Sequence, residues 1–288
     1  MNRLDRQSFL GPDSSNILEA MNVGFVGVGG GGSHVAQQLA HAGVGGFVPV
    51  DHDRATSTNS NRLIGMQPLD ALLHRKKALM AKRLIHRINP KARVTPVVGR
   101  WEENIVKLLP CDIIVGAVDT FKARAELEGF CRSHLIPYCD LGMDVHNLGG
   151  GGYFVGGQVA LSLPGDLCMR CMGLITNARL SQEASRYGQA GAAAQVVWTN
   201  GALASAAVNL IVQLFTPWPP ASNSTRTGTS FAPATELAVC RARLAATSPS
   251  PRRGILCSTS GVILAGANPE ERLNQLEGKN AGLKNAGT

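Results

Sequence analysis

A run of glycines directly behind an apolar stretch constrains most of what this chain can fold into. Residues 23–28 (VGFVGV) read as a buried strand, and Gly27-Val28-Gly29-Gly30-Gly31-Gly32 matches G-x-G-x-x-G through Gly27, Gly29 and Gly32. Ser33 to Ala42 then reads as a helix. Strand, glycine turn and helix in that order form the context in which the pattern binds a nucleotide. Glycine lets the backbone approach a phosphate, and the helix N-terminus attracts the negative charge. Asp51 closes the next apolar strand, Phe47 to Val50, 24 residues after Gly27, where a carboxylate can hydrogen-bond both ribose hydroxyls. The pattern alone says only nucleotide. Its usual owner is an NAD-dependent oxidoreductase, and a glycine turn used for packing is the plainer alternative.

Apolar strands continue to alternate with helical stretches. Lys76 to Ile88 suits a helix, with Leu79, Met80, Leu84, Ile85 and Ile88 at helical spacing, and Asn89-Pro90 stops it. Val94 to Val98 and Asp112 to Val115 read as strands, Phe121 to Ser133 as a helix and Pro137 to Leu141 as a fifth strand. The alternation predicts an α/β fold, Rossmann-like and doubly wound, with a mostly parallel sheet and right-handed crossovers. Beyond residue 145 the character changes. A glycine run at Gly149 to Gly152, a sheet-like Tyr153 to Leu163, a crossover over 174–197 and a helix from Asn200 to Phe215 form a C-terminal crossover and β extension. The expected organisation is an N-terminal arm over 1–22, one domain over 23–216, and a tail over 217–288. Pro, Ser, Thr and Ala dominate that tail, and we expect it to be weakly ordered or peripheral.

Composition narrows the class. Hydrophobic residues make up 44% and charged residues 17%, enough to build a sizeable core. The net charge of +8 raises nucleic acid as a partner, but residues 221–288 carry eight Lys/Arg against four Asp/Glu and no basic stripe alternates with aromatics. Nucleic-acid binding is therefore not expected. The start is not a signal peptide, and the longest apolar stretch, Gly201 to Phe215, is too short for a bilayer and reads as a buried helix. Seven scattered cysteines show no disulfide framework, so a reducing cytoplasm fits.

Three features lie where an oxidoreductase has none. Asp51-His52-Asp53 is followed by Asn59-Ser60-Asn61-Arg62, so two acids, an amide and an arginine could line a triphosphate pocket. Lys76 and Lys77 open the next helix. Asp119 follows the fourth strand at the carboxyl edge of the sheet, where it could hold Mg²⁺ at the phosphates. Each feature alone has a plain explanation, such as a solvated lysine pair or a helix cap. Their order is what counts.

With these residues in place, the chain resembles the ThiF/MoeB and ubiquitin-activating-enzyme adenylation domains over roughly residues 3–215. The opening Leu4-Asp5-Arg6-Gln7-Ser8-Phe9-Leu10-Gly11, the glycine loop with Gly43-Val44-Gly45, Asp51-x-Asp53, Asn59-x-x-Arg62, Arg87-Ile88-Asn89-Pro90 and Asp119 carry the resemblance. It implies ATP and Mg²⁺, and adenylation of the Gly-Gly C-terminus of a ubiquitin-like or sulfur-carrier protein, with a conjugating enzyme as a further partner. By position it implies that Asp51 binds ribose, that Asn59, Arg62 and Lys77 contact the phosphates, and that Asp119 coordinates magnesium. It also implies a homodimer in which Arg6 enters the partner's site. Other adenylating relatives act on a small molecule, a peptide or a tRNA-bound carboxylate, and a silent binding subunit is a further alternative.

The sequence departs from the family pattern at two points. Many relatives carry a cysteine in the crossover that takes the activated tail, but 174–197 contains none, and Gly191-Ala192-Ala193-Ala194-Gln195 lies about where it would stand. Cys168-Met169-Arg170-Cys171 resembles half of a structural zinc site. Zinc needs four ligands, the second C-x-x-C is missing, and only Cys240 and Cys257 follow. Two free thiols are the alternative to zinc. Cys111, Cys131 and Cys139 are expected in the core.

Overall fold

The computed structural model describes residues 3–149, 152–185, 195–218 and the backbone of 236–241. A 3-10 turn, Asp5–Leu10, and helix α1, Ser14–Ala20, precede β1 (Asn22–Val26), α2 (Gly30–Ala42) and β2 (Gly46–Val50). Next come α3 (Pro68–Leu72), α4 (Lys77–Ile88), β3 (Arg93–Val94), α5 (Ile105–Leu108), β4 (Ile113–Gly116) and α6 (Phe121–Ser133). A long hairpin of β5 (Tyr138–Gly149) and β6 (Gly152–Ser162) leads to α7 (Asn177–Ser185), α8 (Val197–Phe215) and β7 (Glu236–Arg241).

The strands form one sheet in the order β3-β2-β1-β4-β5-β6-β7. Every neighbouring pair is parallel except β5 with β6. The chain steps from β1 outward to β2 and β3, then returns to the other side of β1 for β4 and β5. That reversal leaves a crevice above the carboxyl ends of β1 and β4, the place where open α/β sheets bind ligands.

Each face of the sheet carries a core. On one side Val23, Phe25, Phe47, Ile113 and Val115 pack against Val35, Leu39, Ile85, Leu203 and Ile211 of α2, α4 and α8. On the other, Val26, Val48, Val50 and Ile114 meet Leu108, Leu127, Met169 and Ile175. Inward residues on both faces explain why these strands read as continuous apolar runs. Helix α8 is long and apolar enough to cross a membrane by length and composition, yet it packs on α2 and the β5–β6 hairpin, with Leu203, Ala204, Ala207, Leu210 and Ile211 in the core. Cys111, Cys131 and Cys139 are buried, as their apolar neighbours in sequence suggest.

Several boundaries differ from the sequence reading. Strand β1 ends at Val26, because Gly27 turns the chain at φ +86. Helix α2 starts at Gly30 rather than Ser33, so three glycines of the run are its first turn. The strand expected over Val94 to Val98 is reduced to Arg93–Val94 plus a single bridge between Val50 and Val97. The connection over 52–74 contains α3, opened by Gln67 and Asp70 in a capping box with Pro68 at its start. Strand β5 runs on to Gly149, because β6 pairs with it along almost its whole length. Helix α8 begins at Val197, ahead of the expected Asn200. The tail supplies β7 at the sheet edge beside β6, while 219–235 and 242–288 lie outside the described residues, as do Gly150, Gly151 and 186–194.

Candidate functional site

Asp51 organises the crevice. The last residue of β2 hands the chain to Asp51, whose carboxylate accepts the Val28 amide at 2.9 Å and the Asp53 amide at 2.8 Å. One bond braces the glycine turn and the other braces the loop beyond β2. Burial pushes the Asp51 carboxyl above its ordinary value, with the two amides and Lys77 working against that. The turn itself is tight. A Cβ on Gly27 would collide with the Ala117 carbonyl, and one on Gly29 would meet nothing within 4 Å. Gly29 is therefore open toward the crevice, whereas a Cβ on Gly32 would strike the Gly27 carbonyl. Gly32 does not line the crevice. It allows α2 to start close against the turn, the packing role of the third glycine.

The crevice has a volume of about 420 Å³. Gly27, Gly29, Gly30, Asp51, Asp53, Asn59, Arg62, Lys77 and Asp119 all line it. They come from four separate stretches of sequence. The Lys77 ammonium donates to Asp53 at 2.7 Å, and its backbone amide donates to the Asp53 carbonyl at 3.1 Å. Burial works against ionisation of Asp53, but Lys77 and then His52 hold its carboxyl below the usual value. One ligand atom from each of Asp51, His52 and Asp53 lies within 4.8 Å of the others, though Lys77 already neutralises part of that charge. Asn59 is buried, and its side-chain oxygen accepts the Thr56 amide at 3.0 Å. Arg62 reaches back to the Thr58 carbonyl at 2.7 Å and the Asn61 side chain at 3.0 Å. Asp119 is exposed to the crevice just ahead of α6, which Thr120 caps by accepting the Ala123 amide at 3.1 Å. It makes no hydrogen bond or ion pair among the described residues, and such a carboxylate is a hard oxygen donor suited to Mg²⁺.

Arg6 is not brought there. It stands exposed on the first turn, where neighbouring Gln7 donates to the Ala42 carbonyl at 2.8 Å. Ala42 ends α2, and a helix of that length separates it from the glycine turn by roughly 20 Å.

The crevice also takes residues that sequence reading passed over. Gly99 to Glu102, after β3, line it, as do Arg124, Leu141, Met143 and Asn200. Arg124 is one turn into α6 and buried, with its Nε donating to the Val118 carbonyl at 3.2 Å. Its only signal in the sequence is closeness: it stands five residues after Asp119, in the first turn of the helix that follows. Asn200 packs so closely on Gly30 that a Cβ there would meet its amide at 2.6 Å. Nothing local in the sequence marks that contact, because α8 returns from more than 150 residues away.

Cys168 and Cys171 are outside the crevice, with their sulfurs 3.3 Å apart. Burial raises the Cys168 thiol, but hydrogen bonding with the Cys171 amide and thiol and with the Arg170 amide leaves it below the ordinary thiol value. No third Cys, His or carboxylate completes a metal group around them among the described residues. Cys257 and the Cys240 side chain are not among those residues. Burial pushes the Cys111 and Cys131 thiols up to about 12 and Cys139 further, so these are unreactive core groups.

A family model described as the ThiF family matches residues 2–252. The chain belongs to the ThiF family. Its sequence relatives include the SAMP-activating enzyme E1 of Haloferax volcanii, 32% identical over 165 residues, covering 57% of each chain. The molybdopterin-synthase adenylyltransferase of Haemophilus influenzae is 30% identical over 127 residues, covering 43% of this chain and 51% of the relative. This ThiF-family chain thus spans about half the length of the curated relatives it matches. Among solved structures, E. coli MccB with succinimide superposes with a TM-score of 0.60 at 21% identity, covering 75% of this chain and 64% of that one, which shows a shared fold. Adenylyltransferases are among the relatives in this family, and the crevice stands at the carboxyl edge of the sheet, where open α/β folds bind ligands.

Proposed function

We propose that the chain binds ATP with Mg²⁺ in this crevice and adenylates the C-terminal carboxylate of a small ubiquitin-like or sulfur-carrier protein. One observation carries the reading: Asp51, Asn59, Arg62, Lys77 and Asp119 line the same crevice around the glycine turn. Two cations and an exposed carboxylate that could hold Mg²⁺ suit a triphosphate better than a dinucleotide, whose pyrophosphate carries less charge. In this reading Asp51 takes the ribose, the glycine turn and the start of α2 receive the phosphates, and Arg62 and Lys77 neutralise them. Magnesium at Asp119 would draw charge from the phosphate oxygens. The substrate carboxylate attacks the α-phosphorus, the bond to the bridging oxygen breaks, and pyrophosphate leaves. No protein nucleophile is needed for that step, only in-line placement. Arg6 completes the site from a second copy in a homodimer. A cytoplasmic location fits such chemistry.

The acyl-adenylate is the end product held by this chain in our reading, because the sequence has no cysteine between Cys171 and Cys240. A carrier adduct sensitive to thiol reductant, and lost in Cys168→Ala or Cys171→Ala, would contradict that. The experiment for the function is pyrophosphate exchange into ATP with three substrates: a carrier protein ending in Gly-Gly, the same protein lacking its last two residues, and a tRNA-bound carboxylate. Exchange with the intact carrier alone supports the proposal. Exchange with the tRNA substrate alone would move the chain to the RNA-directed branch of the reading.

A further inference from the structure

The crossover helix grips the wall of the crevice that carries Asp119. Glu183 of α7 accepts the Phe121 amide at 2.9 Å and the Lys122 amide at 3.1 Å, reaching 62 and 61 residues back along the chain. Thr120 accepts the next amide, that of Ala123, at 3.1 Å. A helix starts with four amides that have no partner within it. Here three of them are satisfied, two by a carboxylate borrowed from another element. Negative charge at that end is favoured by the helix dipole.

A second contact follows the same route. Arg179, one turn before Glu183 on α7, lies over the Phe121 ring at 5.5 Å, and Arg124 lies over the same ring at 5.4 Å. Arg179 is itself fixed by donating to the Leu174 carbonyl at 2.7 Å. Arg124 continues the chain of contacts into the crevice. Its guanidinium lies against Gly142, where any side chain would collide with it, and 3.5 Å from the Asp140 carboxylate. Asp140 in turn accepts the Tyr138 hydroxyl at 2.8 Å. The other Asp140 oxygen is buried with no hydrogen bond among the described residues, so its charge is answered mainly by Arg124. A connected path therefore runs from the crossover helix to two crevice residues, Asp119 immediately before the cap and Arg124 one turn after it.

We infer that Glu183 is a positioning residue: from the crossover helix it fixes the first turn of α6, and thereby sets Asp119 and Arg124 for the metal–nucleotide complex. The inference rests on the ATP reading for the identity of the ligand, and on the hydrogen bonds alone for the contact. An ordinary helix cap would contribute stability only. A positioning contact also alters how magnesium and nucleotide bind together.

The test uses the full chain, with Glu183→Ala, Glu183→Asp and a stability control, Asn89→Ala. Asn89 ties the end of α4 to the Val44 carbonyl and touches neither α6 nor the crevice. ATP affinity is measured by calorimetry with and without Mg²⁺, and amide exchange is followed at Asp119, Phe121, Lys122 and Arg124. Glu183→Ala is expected to weaken Mg²⁺·ATP about tenfold, to leave metal-free ATP nearly unchanged, and to speed exchange at the four amides. Glu183→Asp falls between, and Asn89→Ala lowers the melting temperature without changing affinity. Unchanged Mg²⁺·ATP affinity in Glu183→Ala overturns the inference, as does a loss no larger than in Asn89→Ala. If the wild-type chain itself binds no Mg²⁺·ATP, the ATP reading fails instead. The positioning role is then judged on exchange: faster exchange that extends from Phe121 and Lys122 to Asp119 and Arg124 supports it, and faster exchange confined to the two capped amides makes Glu183 an ordinary cap and overturns it.

Discussion

The Asp51 carboxylate accepts the Val28 amide at 2.9 Å, so the end of β2 holds the glycine turn that follows β1. Two roles meet at one side chain, the observed support of the turn and the proposed contact with ribose. Asp51→Ala removes the acceptor for two buried or half-buried amides and should cost about 1–3 kcal/mol in urea unfolding. Mg²⁺·ATP affinity should fall with it. Burial raises the native carboxyl, so ionisation costs the fold. Asp51 thus favours the native state below its unfolded value and loses that advantage as pH rises through the raised value. Asp51→Asn should flatten this part of the stability–pH curve. An unchanged curve would mean that Asp51 is not the group responsible.

The two glycines of the turn should separate binding from folding. Gly29 has open space where a Cβ would go, and Gly32 faces the Gly27 carbonyl. Gly29→Ala is expected to keep the melting temperature while weakening ATP about tenfold, through crowding of the phosphates. Gly32→Ala should cost about 1–3 kcal/mol of stability through overpacking. The opposite assignment of effects, read by thermal melting and calorimetry, would show the phosphates to be elsewhere.

Asp70 gives the clearest dependence on acid. Its buried carboxylate takes the Arg83 guanidinium, one bond measuring 2.8 Å, together with the Gln67 amide at 2.8 Å. The Arg83 hydrogen bond outweighs burial and holds Asp70 below the usual carboxylate value. A lowered native value contributes stability that is present above the unfolded value and lost as pH falls through the native one. Arg83→Met should therefore cost about 3 kcal/mol at neutral pH. That difference should shrink from about pH 4 downward, as Asp70 is protonated. Chemical denaturation across pH 2–7 checks both parts. A difference independent of pH would assign the loss to packing.

Much of the site was legible because its residues stand at strand ends. Asp51 and Asp119 follow apolar runs that could only be central strands, and the fold carries such positions to the carboxyl edge of the sheet. Asn59, Arg62 and Lys77 sit on a loop and a helix start close behind Asp51, so short-range order sufficed. What escaped depends on distance in sequence. Asn200 reaches Gly30 only because α8 packs beside α2, and Glu183 meets α6 only because the hairpin folds back. The length of β5 was likewise hidden, since its second half is a strand by virtue of pairing with β6. Strand β3 is shorter than its apolar pattern suggests, because Thr95 and Pro96 interrupt the segment and Pro96 has no amide to donate.

Arg6 makes a prediction about assembly. It stands at the far end of α2 from the glycine turn, so it cannot serve its own crevice in this conformation. A mixture of Arg6→Ala chains with Asp119→Ala chains should form dimers with one complete site. Calorimetry should then recover tight Mg²⁺·ATP binding at about half the total sites once subunits exchange randomly and only mixed dimers are isolated. Mixed dimers without recovered binding would rule out action in trans.

The central claim is attack of a carboxylate on the α-phosphorus of ATP, and oxygen transfer tests it most directly. The carrier is prepared with ¹⁸O in its C-terminal carboxylate and turned over with ATP, Mg²⁺ and an external thiol. Attack at the α-phosphorus followed by acyl transfer to the thiol leaves one carboxylate oxygen on AMP and releases unlabelled pyrophosphate. The account predicts ¹⁸O in AMP in the wild type and none in Asp119→Ala. Label in inorganic phosphate with formation of ADP, or turnover without label in AMP, would contradict it.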